Sequence, residues 1–292
     1  MRGIKLSLLA TLLAATCGGV EAQERGHEAG VAIERQSWSF WGPLGGFDKG
    51  QLQRGFKIYK EVCANCHSMN LVAFRNLGEA GGPGFSAGQV KALAASYKVK
   101  DGPNDAGDMF ERAGLSSDHI PWNFANPNAA RAALGALPPD MSLLAKARSY
   151  ARPFAMFLVD PLLQYQEKGP DYIVALLSKG YVEAPHGIEL PAGTYYNSVF
   201  PGGKIAMANP LDLIFDAGTD KPSDAAFYTD GTVPTRVQVA RDISAFLMWT
   251  AEPKLEERKQ TGFKVMIFLA VFAALLLLVK RRIWAGLHDG AH

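Results

Sequence analysis

Residues 48–67 read Asp48-Lys49-Gly50-Gln51-Leu52-Gln53-Arg54-Gly55-Phe56-Lys57-Ile58-Tyr59-Lys60-Glu61-Val62-Cys63-Ala64-Asn65-Cys66-His67, and they decide the fold of this 292-residue chain. The last five carry the spacing C-x-x-C-H, the signature of covalent c-type haem attachment, and it occurs once. On a short helical turn, two cysteines three apart present their sulfurs to two vinyl groups on one haem edge. His67 then lies under the iron as proximal ligand. A group held this way makes electron transfer the first hypothesis. A redox dithiol, half a zinc site and a structural disulfide are the competing readings of Cys63 and Cys66. A zinc site would want two more ligands, and the only other cysteine is Cys17.

Upstream of the motif the pattern is helical. Asp48 is a suitable N-cap, and Leu52, Phe56, Tyr59 and Val62 or Cys63 recur at helical spacing. A mid-helix glycine costs about 1 kcal/mol against alanine, so Gly55 marks either a close helix approach or a tolerated surface position. Far downstream, Thr235 to Thr250 is amphipathic, with Val237, Ala240, Ile243, Phe246 or Leu247 and Thr250 on one face. The order suits a compact c-type cytochrome core, whose first helix crosses its last. Between them, 86–98 reads as a helix capped by Ser86, and 101–131 as loop with short helices. Pro138-Pro139-Asp140 starts an element over 141–163, and 171–179 is a helix ended by Gly180. Residues 23–45, 78–88 and 185–210 read as loop. No repeat and no strand-rich region is evident. The expected fold is mostly α: a c-type cytochrome core with long loop insertions, plus one C-terminal transmembrane helix.

Both ends carry membrane signals. Arg2 and Lys5 precede the short apolar run Leu8–Ala15, and Val20-Glu21-Ala22 offers small residues for a signal peptidase. Residues 1–22 are therefore expected to be a cleaved signal peptide and 23–262 an exported, periplasmic haem domain. The run Val265–Val279 contains no charge, and Phe263 and Ile283-Trp284 extend it. Residues 263–283 are expected to anchor the chain in the bacterial inner membrane as a single pass. Lys280-Arg281-Arg282 should keep the short tail 284–292 on the cytoplasmic side. The chain carries +2 overall; the leader has +1 and residues 263–292 have +3, which leaves the exported domain at −2. A mildly acidic domain suits a basic protein partner through electrostatic steering, and no nucleic-acid partner is expected.

The sixth iron ligand separates the functional classes. An open position would suit sensing or peroxidase chemistry, and a filled one suits electron transfer. Thioether ligation also raises the potential. The candidates are Met69, Met109, Met141, Met156, Met207, Met248, His119 and His186. Met69 is too close to the proximal turn, while Met141, Met156 and Met248 sit in apolar helical patterns. Met207 lies in the small-residue loop Pro201–Pro210 and is favoured by spacing, with Met109, His119 and His186 left open.

The stretches LQRGFKIYKEVCANCHSM, NAARAALGALPPDMSLLAKAR, YYNSVFPGGKIAMANPL and DGTVPTRVQVARDISAFLMWTAEPKLEERKQTGFKV span most of residues 45–290. Together they resemble the cytochrome c1 family, the haem subunits of quinol–cytochrome c oxidoreductase (bc1) complexes. The resemblance implies one covalently attached haem c, with His67 and Met207 as iron ligands. It implies that Arg148 pairs with a propionate and that Pro139 and Tyr172 line the pocket. It further implies electron transfer from a Rieske iron–sulfur subunit to a soluble or anchored cytochrome c. Cytochrome b would lie against the C-terminal helix, the complex would be dimeric, and no quinol site would belong to this chain. Two departures stand out. The stretch 149–170 exceeds the family pattern, and the additional cysteine pair of some bacterial relatives is missing. The runner-up is a free-standing, membrane-anchored cytochrome c shuttle.

Overall fold

A computed structural model describes residues 33–288, apart from 164, 217–218 and 225–226. The signal-peptide reading and Cys17 lie outside the described residues. Helix α1 (Lys49–Glu61) starts where Asp48 accepts a hydrogen bond from the Gln51 amide. It buries Leu52, Gly55, Phe56, Ile58 and Tyr59. Then follow α2 (Ala87–Ala95), α3 (Pro127–Leu134), α4 (Leu144–Ala147), α5 (Phe154–Leu163) and α6 (Lys168–Ser178). The last two are α7 (Arg236–Ala251) and α8 (Leu255–His288). The mostly helical class is as expected.

The core forms where α1 crosses α7. An added Cβ at Gly55 would lie 2.3 Å from the Asp242 carbonyl oxygen and 2.5 Å from Phe246 Cβ. Glycine here therefore serves a close approach. Phe246 packs edge-on to Phe56 at 5.7 Å and against Tyr59 at 6.0 Å. Beside the crossing, fully buried Asp242 accepts from Arg54 Nε at 2.8 Å, Tyr228 Oη at 2.8 Å and Gln238 Nε2 at 2.8 Å. A buried carboxylate needs such partners to offset its desolvation.

Several expectations are corrected. Helix α7 is buried from Val239 to Thr250 except at half-buried Arg241, because α1, α4 and α6 all pack on it. Val237, assigned to its inner face, is 40% exposed, while Val239 is fully buried. The 86–98 helix stops at Ala95, capped by the reciprocal Ser86–Gln89 pair. Lys98 already belongs to a hairpin of β2 (Lys98–Asp101) and β3 (Phe110–Ala113). Two further antiparallel pairs join β1 (Met69–Ala73) to β4 (His119–Ile120) and β5 (Tyr195–Tyr196) to β6 (Lys204–Ile205). Expected as one element, 141–163 is broken after α4, where Arg148 turns extended and Pro153 disfavours helix before it.

Helix α8 begins at Leu255, so the charged residues 255–262 and the apolar run that follows form one continuous helix. Its span Leu255–Ala285 is long and apolar enough to cross a membrane, with mean hydropathy 2.6 over its most apolar window. The side chains there are exposed, as lipid-facing residues would be.

Candidate functional site

The C-terminal end of α1 runs directly into the Cys63–Asn65 turn. The His67 amide donates back to the Cys63 carbonyl at 2.8 Å, which closes the turn and brings the imidazole round. Two residues from the stretch read as loop with short helices hold the turn from outside. Trp122 Nε1 donates to the Cys66 carbonyl at 2.9 Å and Asn123 Nδ2 to that of Ala64 at 3.0 Å. Neither had a signal in its local sequence.

A cavity of about 1410 Å³ opens beside this turn. Cys63, Cys66, His67, Pro139, Arg148, Tyr172 and Met207 all border it, so the seven site residues expected from the sequence converge on one space. Apolar side chains make up much of the remaining wall, among them Ile173 from α6 and Ile243 and Leu247 from α7.

His67 is 9% exposed. Its Nδ1 donates to the Pro139 carbonyl at 2.8 Å, which fixes the tautomer and leaves Nε2 as the free lone pair. Burial pulls the imidazole pKa down, only partly opposed by the Pro139 carbonyl and the Asp140 charge, so the neutral ligand form prevails. Asp140 organises the strap around Pro139. Burial pushes its carboxyl up, but bonds from Ser142, the Asn70 amide and Ser68 outweigh this and hold it below the usual range. Burial, and then the neighbouring Cys66, push the Cys63 thiol up to about 12. Both thiols are free rather than disulfide-bonded.

Two thioethers border the cavity, Met141 and Met207. The Met141 amide donates to the Ser68 carbonyl at 2.8 Å, which ties it to the wall that carries His67. Met207 enters from a different part of the chain. The β5–β6 hairpin turns through Gly202 and Gly203 at positive φ, and a Cβ on Gly203 would meet the Tyr196 ring at 2.7 Å. Fully buried Asn197 pins that turn to α6 through the Leu176 carbonyl at 3.0 Å. Tyr181 Oη donates to the Met207 carbonyl at 2.9 Å, a contact that sequence reading missed. Of the other candidates, Met109 is 63% exposed on β3's approach, and His119 and His186 are exposed. Met69 and Met248 are fully buried in the core. None of these five borders the cavity.

Arg148 is half-buried at the cavity edge, where its Nη1 donates to the Ala147 carbonyl at 3.4 Å. Among the described residues it forms no ion pair with a carboxylate, which leaves a cation for an anionic ligand edge. Tyr172 beside it is 4% exposed, and burial pushes its hydroxyl pKa up. The cavity thus offers an imidazole, a thioether, two adjacent thiols, an apolar lining and a charged rim. That combination fits a haem. Among the described residues no three histidine, cysteine or acidic side chains gather as a metal cluster.

Comparison with known proteins agrees with this geometry. The Cytochrome C1 family matches residues 38–287. The chain is 50% identical over 265 residues to "Cytochrome b/c1" of Bradyrhizobium diazoefficiens, covering 90% of this chain but 37% of that protein. It therefore spans little more than a third of that longer relative. It is 41% identical over 293 residues to "Cytochrome c1" of Blastochloris viridis, covering 98% and 99% of the two chains. To "Cytochrome c1, heme protein, mitochondrial" of Schizosaccharomyces pombe it is 40% identical over 263 residues, covering 90% of this chain and 75% of that one. With Cys63, Cys66 and His67 bordering one large cavity and a match that runs through almost all of the described fold, the chain belongs to the cytochrome c1 family.

Proposed function

We propose that this chain is the membrane-anchored, mono-haem electron relay of a quinol–cytochrome c oxidoreductase. Cys63 and Cys66 hold one haem c by thioethers, His67 and Met207 ligate its iron, and Arg148 pairs with a propionate at the rim. Adding each S–H across a vinyl group forms a carbon–sulfur bond and leaves the hydrogen on the neighbouring carbon, so attachment needs no oxidant. A bound haem supplies reversible one-electron exchange at iron. The protein fixes both ligands, so little reorganises as charge changes, and the thioether favours the reduced metal. Apolar walls from α6 and α7 exclude water.

The observation that carries this reading is the convergence of His67 and Met207 on one cavity. They are 140 positions apart in sequence. A free-standing shuttle would need only a smaller core on a flexible tether, whereas only three residues separate α7 from α8. Electrons are received from the Rieske iron–sulfur subunit and passed to a cytochrome c. Cytochrome b lies against α8, and the complex is dimeric. Residues 1–22 are a cleaved leader, 23–262 are periplasmic, 263–283 span the inner membrane and 284–292 face the cytoplasm.

The test is Met207→Leu in the intact membrane complex. The expected result is a lowered midpoint potential and loss of quinol-dependent cytochrome c reduction. An unchanged redox titration would overturn the ligand assignment. Haem that does not stay with the chain on a denaturing gel would overturn covalent attachment.

A further inference from the structure

Just before α1, residues 39–46 form a closed loop, joined at its base by the Gly46 amide donating to the Ser39 carbonyl at 3.1 Å. This loop is clamped to the root of α8 at two levels. Phe47 donates its amide to Glu256 Oε1 at 2.7 Å. One turn further along α8, Lys259 Nζ donates to the Phe40 carbonyl at 2.6 Å and to that of Gly45 at 3.3 Å. The loop therefore advances along α8 towards the uncharged run as it leaves the core. The step from Glu256 to Lys259 is about 4.5 Å, and Phe263 lies about 6 Å beyond.

Between the two carbonyls held by Lys259 lies the tip, Trp41-Gly42-Pro43-Leu44. It carries no charge. Trp41 is 43% exposed and Leu44 is 83% exposed, although Trp38 and Phe40 at the base are buried. Gly42 turns the tip at φ +72°. Arg35 stacks on the Trp41 ring at 4.8 Å and holds its orientation. Among the described residues, Leu44 is left almost bare and the Trp41 ring, stacked on Arg35, keeps 43% of its surface exposed.

We propose that the Trp41–Leu44 tip is an interfacial foot, which enters the headgroup boundary of the lipid bilayer beside α8. The position follows from the clamp, and the occupant follows from the chemistry. Tryptophan is the residue that favours the boundary between headgroups and hydrocarbon, with an apolar ring and one N–H donor. Leu44 adds an apolar side chain that water would otherwise surround. The foot also extends a surface already committed to lipid, since neighbouring Phe263 is 57% exposed at the start of the run. One helix leaves a domain free to pivot about the helix axis; a second contact off that axis fixes its tilt. This inference rests on α8 spanning the membrane.

The test is site-directed spin labelling of the complex in phospholipid vesicles, with the parent protein giving the background. Nitroxides are placed singly at Leu44→Cys, at Leu276→Cys within α8, and at Val233→Cys. Val233 is 73% exposed and precedes the far end of α7, about 24 Å from the root of α8. Collision with dissolved oxygen is compared with collision with a water-soluble nickel chelate. The oxygen-to-nickel ratio should be several-fold higher at positions 44 and 276 than at 233. A ratio at position 44 equal to that at 233, with 276 high, overturns the foot and leaves the membrane span intact. Low collision with both reagents at position 44 means that a protein surface covers the tip, and that also overturns the foot. A low ratio at 276 overturns the span and the foot together.

Discussion

Gly55→Ala isolates the packing that carries the pocket. The new methyl would lie 2.3 Å from the Asp242 carbonyl oxygen and 2.5 Å from Phe246 Cβ. Unstrained contact is roughly 3.5 Å, so α1 and α7 must separate by about 1 Å. The obstructing atoms are backbone and Cβ, which no rotamer change moves. Overpacking a well-filled core costs about 1–3 kcal/mol, and rigid obstruction places this site at the upper end. Replacing a mid-helix glycine returns about 1 kcal/mol. The net loss is about 2 kcal/mol, which corresponds to a fall of about 4–8 °C in the thermal midpoint for a domain of this size. The strain also reaches the cavity, since α1 leads into the Cys63 turn and α7 supplies Ile243 and Leu247. Thermal unfolding of the detergent-solubilised protein, followed at the haem absorbance and by circular dichroism, measures the effect. Gly50→Ala is the control, because its Cβ meets nothing nearer than 3.4 Å and should not lower the midpoint. The reasoning fails if Gly55→Ala unfolds at or above the wild-type temperature.

Two further outcomes follow from the contacts around the pocket. Tyr181→Phe removes the hydroxyl that donates to the Met207 carbonyl, worth about 0.5–1.5 kcal/mol; the spectral signature of the proposed Met207 ligation should be lost at a lower temperature than in wild type, and identical melting of that signature would refute the role. Asp140 has a folded pKa held below its unfolded one, so its stabilisation is complete above the unfolded value and disappears as pH falls through the folded value. Acid unfolding of the wild type should therefore steepen below about pH 4, and Asp140→Asn should be less stable at neutral pH and flatter across that window; parallel acid profiles would contradict it.

The helix crossing was legible because its signals are local. Asp48, the spacing of Leu52, Phe56 and Tyr59, and Thr235 ahead of α7 all act within a few residues. Gly55 was readable as a close approach only as one of two options, since its partner lies nearly two hundred positions away. The β2–β3 hairpin left little trace because three of the four β2 residues are charged and their order comes from pairing. The contacts that orient the site are long-range bonds between a side chain and a carbonyl. His67 reaches Pro139 across 72 residues, Trp122 reaches Cys66 across 56, and Tyr181 reaches Met207 across 26. A carbonyl acceptor has no identity in the sequence, so no residue type announces these bonds. Pro139 shows the contrast: its ring could be matched to a family pattern, but the work of its oxygen emerged only from the fold.

The junction between α7 and α8 consists of Glu252, Pro253 and Lys254. Glu252 ties both sides together, accepting from Arg258 Nε at 2.5 Å and pairing with Lys146 of α4 at 2.6 Å. Such a joint has almost no slack. Whatever orientation α8 takes in its surroundings is imposed on α7, and through α7 on the wall of the cavity. The cofactor site is then a stationary terminal rather than a swinging arm.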